Sequence, residues 1–348
     1  MSRIRSKTPA QRPTLQSVAH EAGVSHQTVA NVLNSPEKVR PETRTRVLKV
    51  ITALDYRPDE TARSLARRST RLVSLHLGPQ WNDGVSMLAG FARSLAQAGA
   101  SRGYRIVLDV AEAGDEVQID SFQELAARRA VDGVVIPETH VGDQRPRWLT
   151  EHGLPMVAFG RPWDDLDAAH SWVDVDGGQG MRQVAHHLRD HGHTRVAYVG
   201  PPRDGGMEDD RHDGLVAGLA EAGVARDEGL DLFVTERTNL FDQLPDFLRQ
   251  YRPTALACRD DSYAFESLQV LQTMDEDIAH GVAVTGFDDS PLARMTRPAL
   301  TSVSQQTDRV ADLIFASLVA QIEGRQDERV TRLIVPQLVP RESSTGRG

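Results

Sequence analysis

The 348-residue chain reads as an α/β protein in which a small helix-turn-helix head precedes a body of two Rossmann-like subdomains. Three observations predict this. Charge divides the chain unevenly: residues 1–71 hold 14 Lys and Arg against 6 Asp and Glu, a net of +8, and the other 277 residues hold 26 against 43, a net of −17. Residues 14–34 give two short apolar-faced helices around a glycine. From residue 72 onward short apolar runs alternate with helical stretches, the pattern of a parallel sheet covered by helices. The whole-chain charge of −9 argues by itself against contact with an acidic polymer. The split removes that objection and suggests two different partners, one for each part.

In the head, TLQSVAHEAGVSHQTVANVLN spans residues 14–34. Leu15, Val18, Ala19 and Ala22 recur at i, i+3, i+4 and i+7, one face of a helix. Thr14 supplies its N-cap and Gly23 the positive φ that ends it. Ser25 suits the cap of a second helix with Val29, Val32 and Leu33 on its apolar face, closed by Asn34 and Pro36. Pro41 opens a third helix, whose Val47, Leu48, Ile51 and Leu54 are expected to complete a small core. An ordinary three-helix domain has the same outline. Local positive charge and a polar outer face on the second helix favour nucleic-acid binding instead. Tyr56-Arg-Pro then leads into residues 59–67, too short for a stable isolated helix. This stretch carries Arg63 and Arg67, so it suits folding against DNA or a partner chain; a solvated linker is the alternative.

In the body the expected order is strand 72–77, helix 84–101, strand 105–110, helix 117–130, then strands 133–137, 156–159 and 172–176. Helix 178–191, strand 195–200, helix 209–222, strand 230–234 and helix 240–250 follow. Strand 255–258, helix 262–273, strands 282–287 and 300–304, helix 307–323 and closing strands complete it. These are too many strands for one comfortable sheet, hence two subdomains. Ligands of such sheets bind at strand carboxyl ends. Arg161, Asp174, Asp176, Arg211, Asp260, Asp261, Asp288 and Asp289 stand at or near such ends. Carboxylates and guanidinium groups each engage two adjacent hydroxyls, so a polyhydroxyl ligand suits them. Trp81, Trp163 and Trp172 offer apolar faces for a sugar ring, with core packing the equal alternative.

Several classes are set aside. A single cysteine, Cys258, excludes an intramolecular disulfide and speaks against a cysteine zinc site. No apolar run approaches the ~20 residues of a membrane span, and no apolar stretch follows the basic N-terminus, so no secretory signal is expected and a cytoplasmic location is. His186, His187, His191 and His193 resemble metal ligands in type, but no HExxH is present and helix ending explains them. Gly200–Gly206 lacks the GK[ST] ending of a phosphate loop. Asp204 and Asp209 are not a specific acid/base pair. No cofactor, metal or catalytic group is expected.

The order VAHEAGVS, TVANVLN, YRP, ARSL, within TLQSVAHEAGVSHQTVANVLN and VRPETRTRVLKVITALDYRPDETARSL, resembles the LacI/GalR family of bacterial transcription regulators. The resemblance runs from about Thr14 to Ser344. It implies that the second head helix enters the major groove of double-stranded operator DNA. His26, Gln27 and Asn31 then sit at base-reading positions, and Ser25 and Thr28 at phosphate-contacting or capping ones. Many members carry Arg where Asn31 stands, so the operator should differ. Residues 59–67 match the family's hinge helix. Leu65 falls at the minor-groove wedge position, and Ala62 at the close approach of two such helices; Asp59 departs from the common Asn.

For the body the resemblance implies a periplasmic-binding-protein-like core with chain crossings near 161–164, 289–292 and 322–330. The expected divisions are 1–58 for the head and 59–71 for hinge and linker. Residues 72–161 plus about 290–322 form the first subdomain; 162–289 plus about 323–344 form the second. Arg161, Arg211, Asp260 and Asp288 match effector-contacting positions. Many members have Asn at the position of Asp260, and the added charge disfavours an anionic effector. With no heptad tail expected after the closing strands, a homodimer is expected, not a tetramer. The expected function is a regulator, most often a repressor of carbohydrate-utilisation genes, released from a pseudo-palindromic operator by a sugar-like effector. A corepressor-dependent repressor responding to a nucleobase, and a small-molecule-binding protein without a DNA role, stay open as alternatives.

Overall fold

The computed structural model describes residues 13–34, 36–56, 69–78, 87–225, 227–325 and 328–345. The chain divides into two compact units, Met1–Thr70 and Arg71–Gly348.

In the first unit, helices α1 (Leu15–Ala22), α2 (His26–Asn34) and α3 (Pro41–Ala53) surround one core. Thr14 and Ser17 form a reciprocal cap at the start of α1, and Gly23 ends it with φ 61°, a conformation that costs glycine nothing. Val18, Ala19, Ala22, Val29, Val32, Val47 and Tyr56 are buried together, with Val50, Ile51 and Leu54 packed against them. Leu48, expected in this core, is 41% exposed. Val47, Val50, Ile51 and Leu54 already make the inward i, i+3, i+4, i+7 face, and Leu48 lies about 100° around the helix from Val47.

Among the described residues the second unit contains twelve strands: β1 (Leu72–Leu77), β2 (Arg105–Val110), β3 (Gly133–Pro137), β4 (Met156–Phe159), β5 (Ser171–Val175), β6 (Val196–Gly200), β7 (Asp231–Phe233), β8 (Ala255–Cys258), β9 (Ala283–Thr285), β10 (Ser302–Ser304), β11 (Thr331–Ile334) and β12 (Gln337–Val339). Six form a parallel sheet in the order β11-β5-β4-β3-β1-β2, and four a second in the order β7-β6-β8-β9. Strands β10 and β12 pair antiparallel, and isolated bridges tie Thr301 and Ser304 to Thr285 and Asp288. Most of the central strands, such as β3, β4, β6 and β8, are buried throughout, which is why they read as continuous apolar runs.

Helices cover both faces of each sheet. Met87–Ser101 and Thr307–Ile322 supply Phe91, Leu95, Ile314, Phe315 and Leu318 to one face of the first. Asp115–Arg128 and Arg145–Glu151 supply Phe122 and Leu149 to the other. Around the second sheet, Leu240–Tyr251 and Asp261–Thr273 lie on one side and Gly177–Asp190 and Met207–Glu221 on the other.

The subdomain exchanges fall later than the sequence suggested. Strand β5, expected in the second subdomain, pairs with β4 and β11 in the first sheet, so the chain crosses near Asp176. Residues 290–304, expected in the first, pack into the second core through Ala293, Leu300 and Val303, and the return lies at Gln305–Gln306. Strand β11, expected in the second, pairs with β5, and the last crossing is at residues 335–336. Parallel pairing decides membership for β5 and β11, and core packing for residues 290–304; no local pattern encodes either.

Candidate functional site

Two regions carry the sequence-predicted residues. In the head, Ser25, His26 and Gln27 are exposed and Thr28 and Asn31 half-buried. The Ser25 hydroxyl accepts from the Thr28 amide at 3.2 Å and lies 2.8 Å from the Thr28 hydroxyl, so both fix the start of α2. One turn on, Gln27 Nε2 donates to Asn31 Oδ1 at 3.2 Å. The pair shares one helix face at i, i+4 spacing and presents its remaining amide donors and acceptors outward. Lys38, Arg40, Arg44, Arg46 and Lys49 are exposed in the same unit. Ala62 and Leu65, with the expected hinge helix, lie outside the described residues.

In the body, the carboxyl ends of both sheets line a cleft of about 880 Å³. From the first subdomain come Gly78, Asp115, Gln118, Glu138, Thr139, His140, Arg145, Phe159, Trp163 and Asp174; from the second, Asp204, Glu208, Asp210, Arg211, Arg259, Asp260, Asp261 and Asp288, with Gln305 at a crossing.

Arg161 stands at the end of β4. Its Nε donates to Asp174 at 2.5 Å and its Nη2 to the Val175 carbonyl at 3.2 Å and to Asp210 at 3.3 Å. Asp210 belongs to the second subdomain, so this guanidinium links the two. Trp163 lies beneath it, with Arg161 Cζ 4.6 Å from the ring centroid, and sends its Nε1–H to the Thr139 carbonyl.

Arg211, in the second turn of Met207–Glu221, is buried. Its Nη1 donates to the Arg259 carbonyl at 2.9 Å, its guanidinium stacks on Phe287, and Asp288 lies 3.8 Å away. Arg211 Nε is buried without a hydrogen-bond partner.

Asp260 caps Asp261–Thr273 through the Ser262 and Tyr263 amides and pairs with Arg259 at 2.5 Å. Burial works to raise its pKa, but Arg259 and the backbone donors hold it low. Asp288 accepts from Gln305 Nε2 at 2.5 Å; burial raises it to about 6 against the pull of Arg211. Asp261 is more enclosed still, accepting from the Ser290 amide at 2.7 Å and contacting the Ser302 hydroxyl at 2.5 Å. Burial, then neighbouring Asp288, pushes it up to about 8.

The cleft thus gathers Arg211, Asp260 and Asp288, and adds Trp163; Arg161 does not line it but bonds two residues that do, Asp174 and Asp210. Trp172 does not join them. It is buried among Phe122, Val134, Ile136, Ala158 and Leu149, two residues short of Asp174 on β5 and so about 6.6 Å deeper along the strand. Trp81 lies outside the described residues. The sequence reading missed Glu138 and Arg259, which directly follow strands, and Arg145 and Glu208, which stand in the first turns of helices. Arg145 is buried and bonded to Asp143, Gln118 and the Glu138 carbonyl. Asp115, His140 and Asp143 approach closely enough to suggest metal ligands, but Arg145 already balances Asp143 at 2.7 Å. The rings of His187 and His191 pack at a tilt of 46°, His191 Nδ1 lies 2.8 Å from the His187 carbonyl, and His187 Nε2 meets the Ser344 hydroxyl at 2.8 Å; they close a helix, as expected.

Comparison with known proteins agrees with this geometry. Residues 14–59 match the model for bacterial regulatory proteins of the lacI family, and residues 185–344 that for a periplasmic binding protein-like domain. The chain is 32% identical over 342 residues to the HTH-type transcriptional regulator CelR of Thermobifida fusca, covering 95% of this chain and 98% of that protein. The chain belongs to the LacI family of bacterial regulatory proteins. It is accordingly a DNA-binding transcriptional regulator and not an enzyme. The ribose operon repressor of Escherichia coli (strain K12) is 28% identical, with 95% and 99% of the two chains covered. A solved structure titled as a CelR–cellobiose complex superposes with a TM-score of 0.71 at 30% identity, covering 95% of this chain and 100% of that one. Among the described residues of this LacI-family chain, no helix is long and apolar enough to cross a membrane.

Proposed function

We propose that this regulator is a repressor of carbohydrate-utilisation genes, released from its operator by an uncharged sugar bound between the two subdomains. The observation that carries the reading is the wall of Arg211, Arg259, Asp260 and Asp288 on one cleft, with Arg161 bonded to its lining residues Asp174 and Asp210. Its guanidinium and carboxylate groups match paired hydroxyls, while every cleft guanidinium already faces a carboxylate. A ligand needs no charge to satisfy such a wall, and an anion would find its countercharge taken. The CelR–cellobiose structure and the ribose operon repressor support the same ligand class.

In this reading His26, Gln27 and Asn31 read bases, Ser25 and Thr28 hold phosphates, and Ala62 and Leu65 act at the operator centre. A homodimer places two heads on a pseudo-palindrome. The edge strand β2 suits such a contact, since Leu108 and Val110 are 55% and 70% exposed there and unpartnered apolar edges favour association. Arg161, bonded to Asp174 in one subdomain and Asp210 in the other, makes the subdomain arrangement sensitive to what fills the cleft.

A gel shift on an operator selected from random oligonucleotides, repeated with neutral sugars and with nucleobases, tests the reading. Release by a neutral sugar is expected. Tightening by a nucleobase alone would establish the corepressor mechanism instead.

A further inference from the structure

We propose that Gln27 and Asn31 read operator DNA as one unit: Asn31 holds the Gln27 amide in the orientation that takes an adenine, and is itself left to read the neighbouring base as a donor. The proposal rests on the reading of α2 as the helix that meets bases, and adds how two of its side chains act together.

Placement is the first argument. Val29 on α2 is fully buried in the head core. At 100° per residue, Gln27 and Asn31 each lie about 160° round the helix from it, on the outer face. In a helix-turn-helix the second helix enters the major groove and its first turns meet base edges. Ser25 and Thr28, bonded to each other at the helix start, are engaged there, so the outward amides are those of Gln27 and Asn31.

Donor and acceptor count is the second. An amide side chain carries two N–H donors and an oxygen with two lone pairs. Gln27 commits one N–H to Asn31 Oδ1, at 3.2 Å. It keeps its oxygen and its second N–H, the pair that adenine N6–H and N7 require. Asn31 has one lone pair engaged and keeps both N–H groups. Its free capacity is weighted towards acceptors, which guanine O6 and N7 or thymine O4 supply.

The third argument is what the bond forbids. If the Gln27 amide turned over, its oxygen would face the oxygen of Asn31, and an N–H would face adenine N6. In water an i, i+4 amide pair is worth little. In the groove, where side chains and base edges shed water, an unmatched polar group is costly and a bonded one gains strength. The contact between the two amides therefore selects one orientation of Gln27 on DNA.

Selection from randomised double-stranded oligonucleotides, with the full chain and its variants, tests this. The unmodified chain should prefer adenine at one half-site position and guanine or thymine beside it, each by about tenfold. Gln27→Ala and Asn31→Ala should each relax both positions, the partner's position by about threefold. Asn31→Asp keeps an oxygen for Gln27 but has no donor. It should retain the adenine and turn its own position to cytosine, whose N4 donates. Circular dichroism shows that the variants fold, and the readout is preference between bases, which the added charge of Asn31→Asp does not set. If each alanine variant relaxed one position alone, or Asn31→Asp lost the adenine as Asn31→Ala does, the two residues would be independent readers; the proposal would fall with base reading by α2 intact. If no variant changed any preference, neither residue would read bases, and both readings would fall.

Discussion

Arg211 is held in place by its surroundings: a carbonyl on Nη1, Phe287 under the guanidinium, and Asp288 nearby. Its Nε–H is buried and without an acceptor, a cost a ligand hydroxyl can relieve. Arg211→Ala or Asp288→Asn should therefore weaken sugar binding by more than about tenfold and abolish release, with operator affinity retained. Normal ligand binding in calorimetry would move the site elsewhere. Asp261, below Asp288, gives a pH prediction. Its carboxyl titrates at about 8 in the folded chain but near ~3.9 unfolded, so the folded chain holds a proton the unfolded one releases. Stability from that proton is complete below about pH 4 and is lost as pH rises through 8. Asp288, raised to about 6, has the same sign and is spent earlier. His187, lowered to about 4 chiefly by burial, has the opposite sign and acts below its unfolded value of about 6.5. The Tm should thus fall between about pH 7 and about pH 8.5. Asp261→Asn, which can donate to Ser302 and accept from the Ser290 amide, should flatten that slope. An unchanged slope in the variant would assign it to another group.

At the scale of elements, helices Gly177–Asp190 and Met207–Glu221 pack against each other at Gly214, where a Cβ would land on the Gly178 backbone. Gly214→Ala must push the helices apart and should cost about 1–3 kcal/mol in urea unfolding. A neutral effect would mean that this packing is loose. The same helix carries Arg211, so ligand affinity should fall with stability. Elements of this kind were legible because their causes are local. Thr14, Gly23 and the apolar spacing marked α1, and runs such as MVAF and ALAC marked strands. Membership in a sheet was not legible. The WVDV run of β5 suits either sheet, and only its register against Met156–Phe159 and Thr331–Ile334 decides. Asp260 and Asp288 were recognisable in the cleft as acids ending apolar runs. Glu138 and Arg259 occupy the same kind of position, next to GVVIP and ALAC, and that signal was available. Trp172 failed because exposure depends on depth along the strand, which residue type does not reveal.

At the scale of the molecule, the chain joins two units with separate cores, Met1–Thr70 and Arg71–Gly348. Their charges are opposite: +8 on residues 1–71 and −17 on the rest. Phosphate contacts supply much of the affinity of such proteins for DNA and release counterions, so operator binding should fall steeply with salt. Sugar binding should not, because the cleft guanidinium groups are already paired and the ligand proposed for them is uncharged. Deleting residues 1–71 separates the two activities. The remaining chain keeps every described residue of the cleft and all four of its apolar clusters, so calorimetry should return the ligand affinity of the full chain. It also keeps only the acidic part, which repels a phosphate backbone, so a gel shift should show no specific operator complex even at low salt. If the truncated chain retained operator affinity, the head would not be the DNA-binding unit. If it lost the ligand while remaining folded, residues before Leu72 would have to complete the cleft.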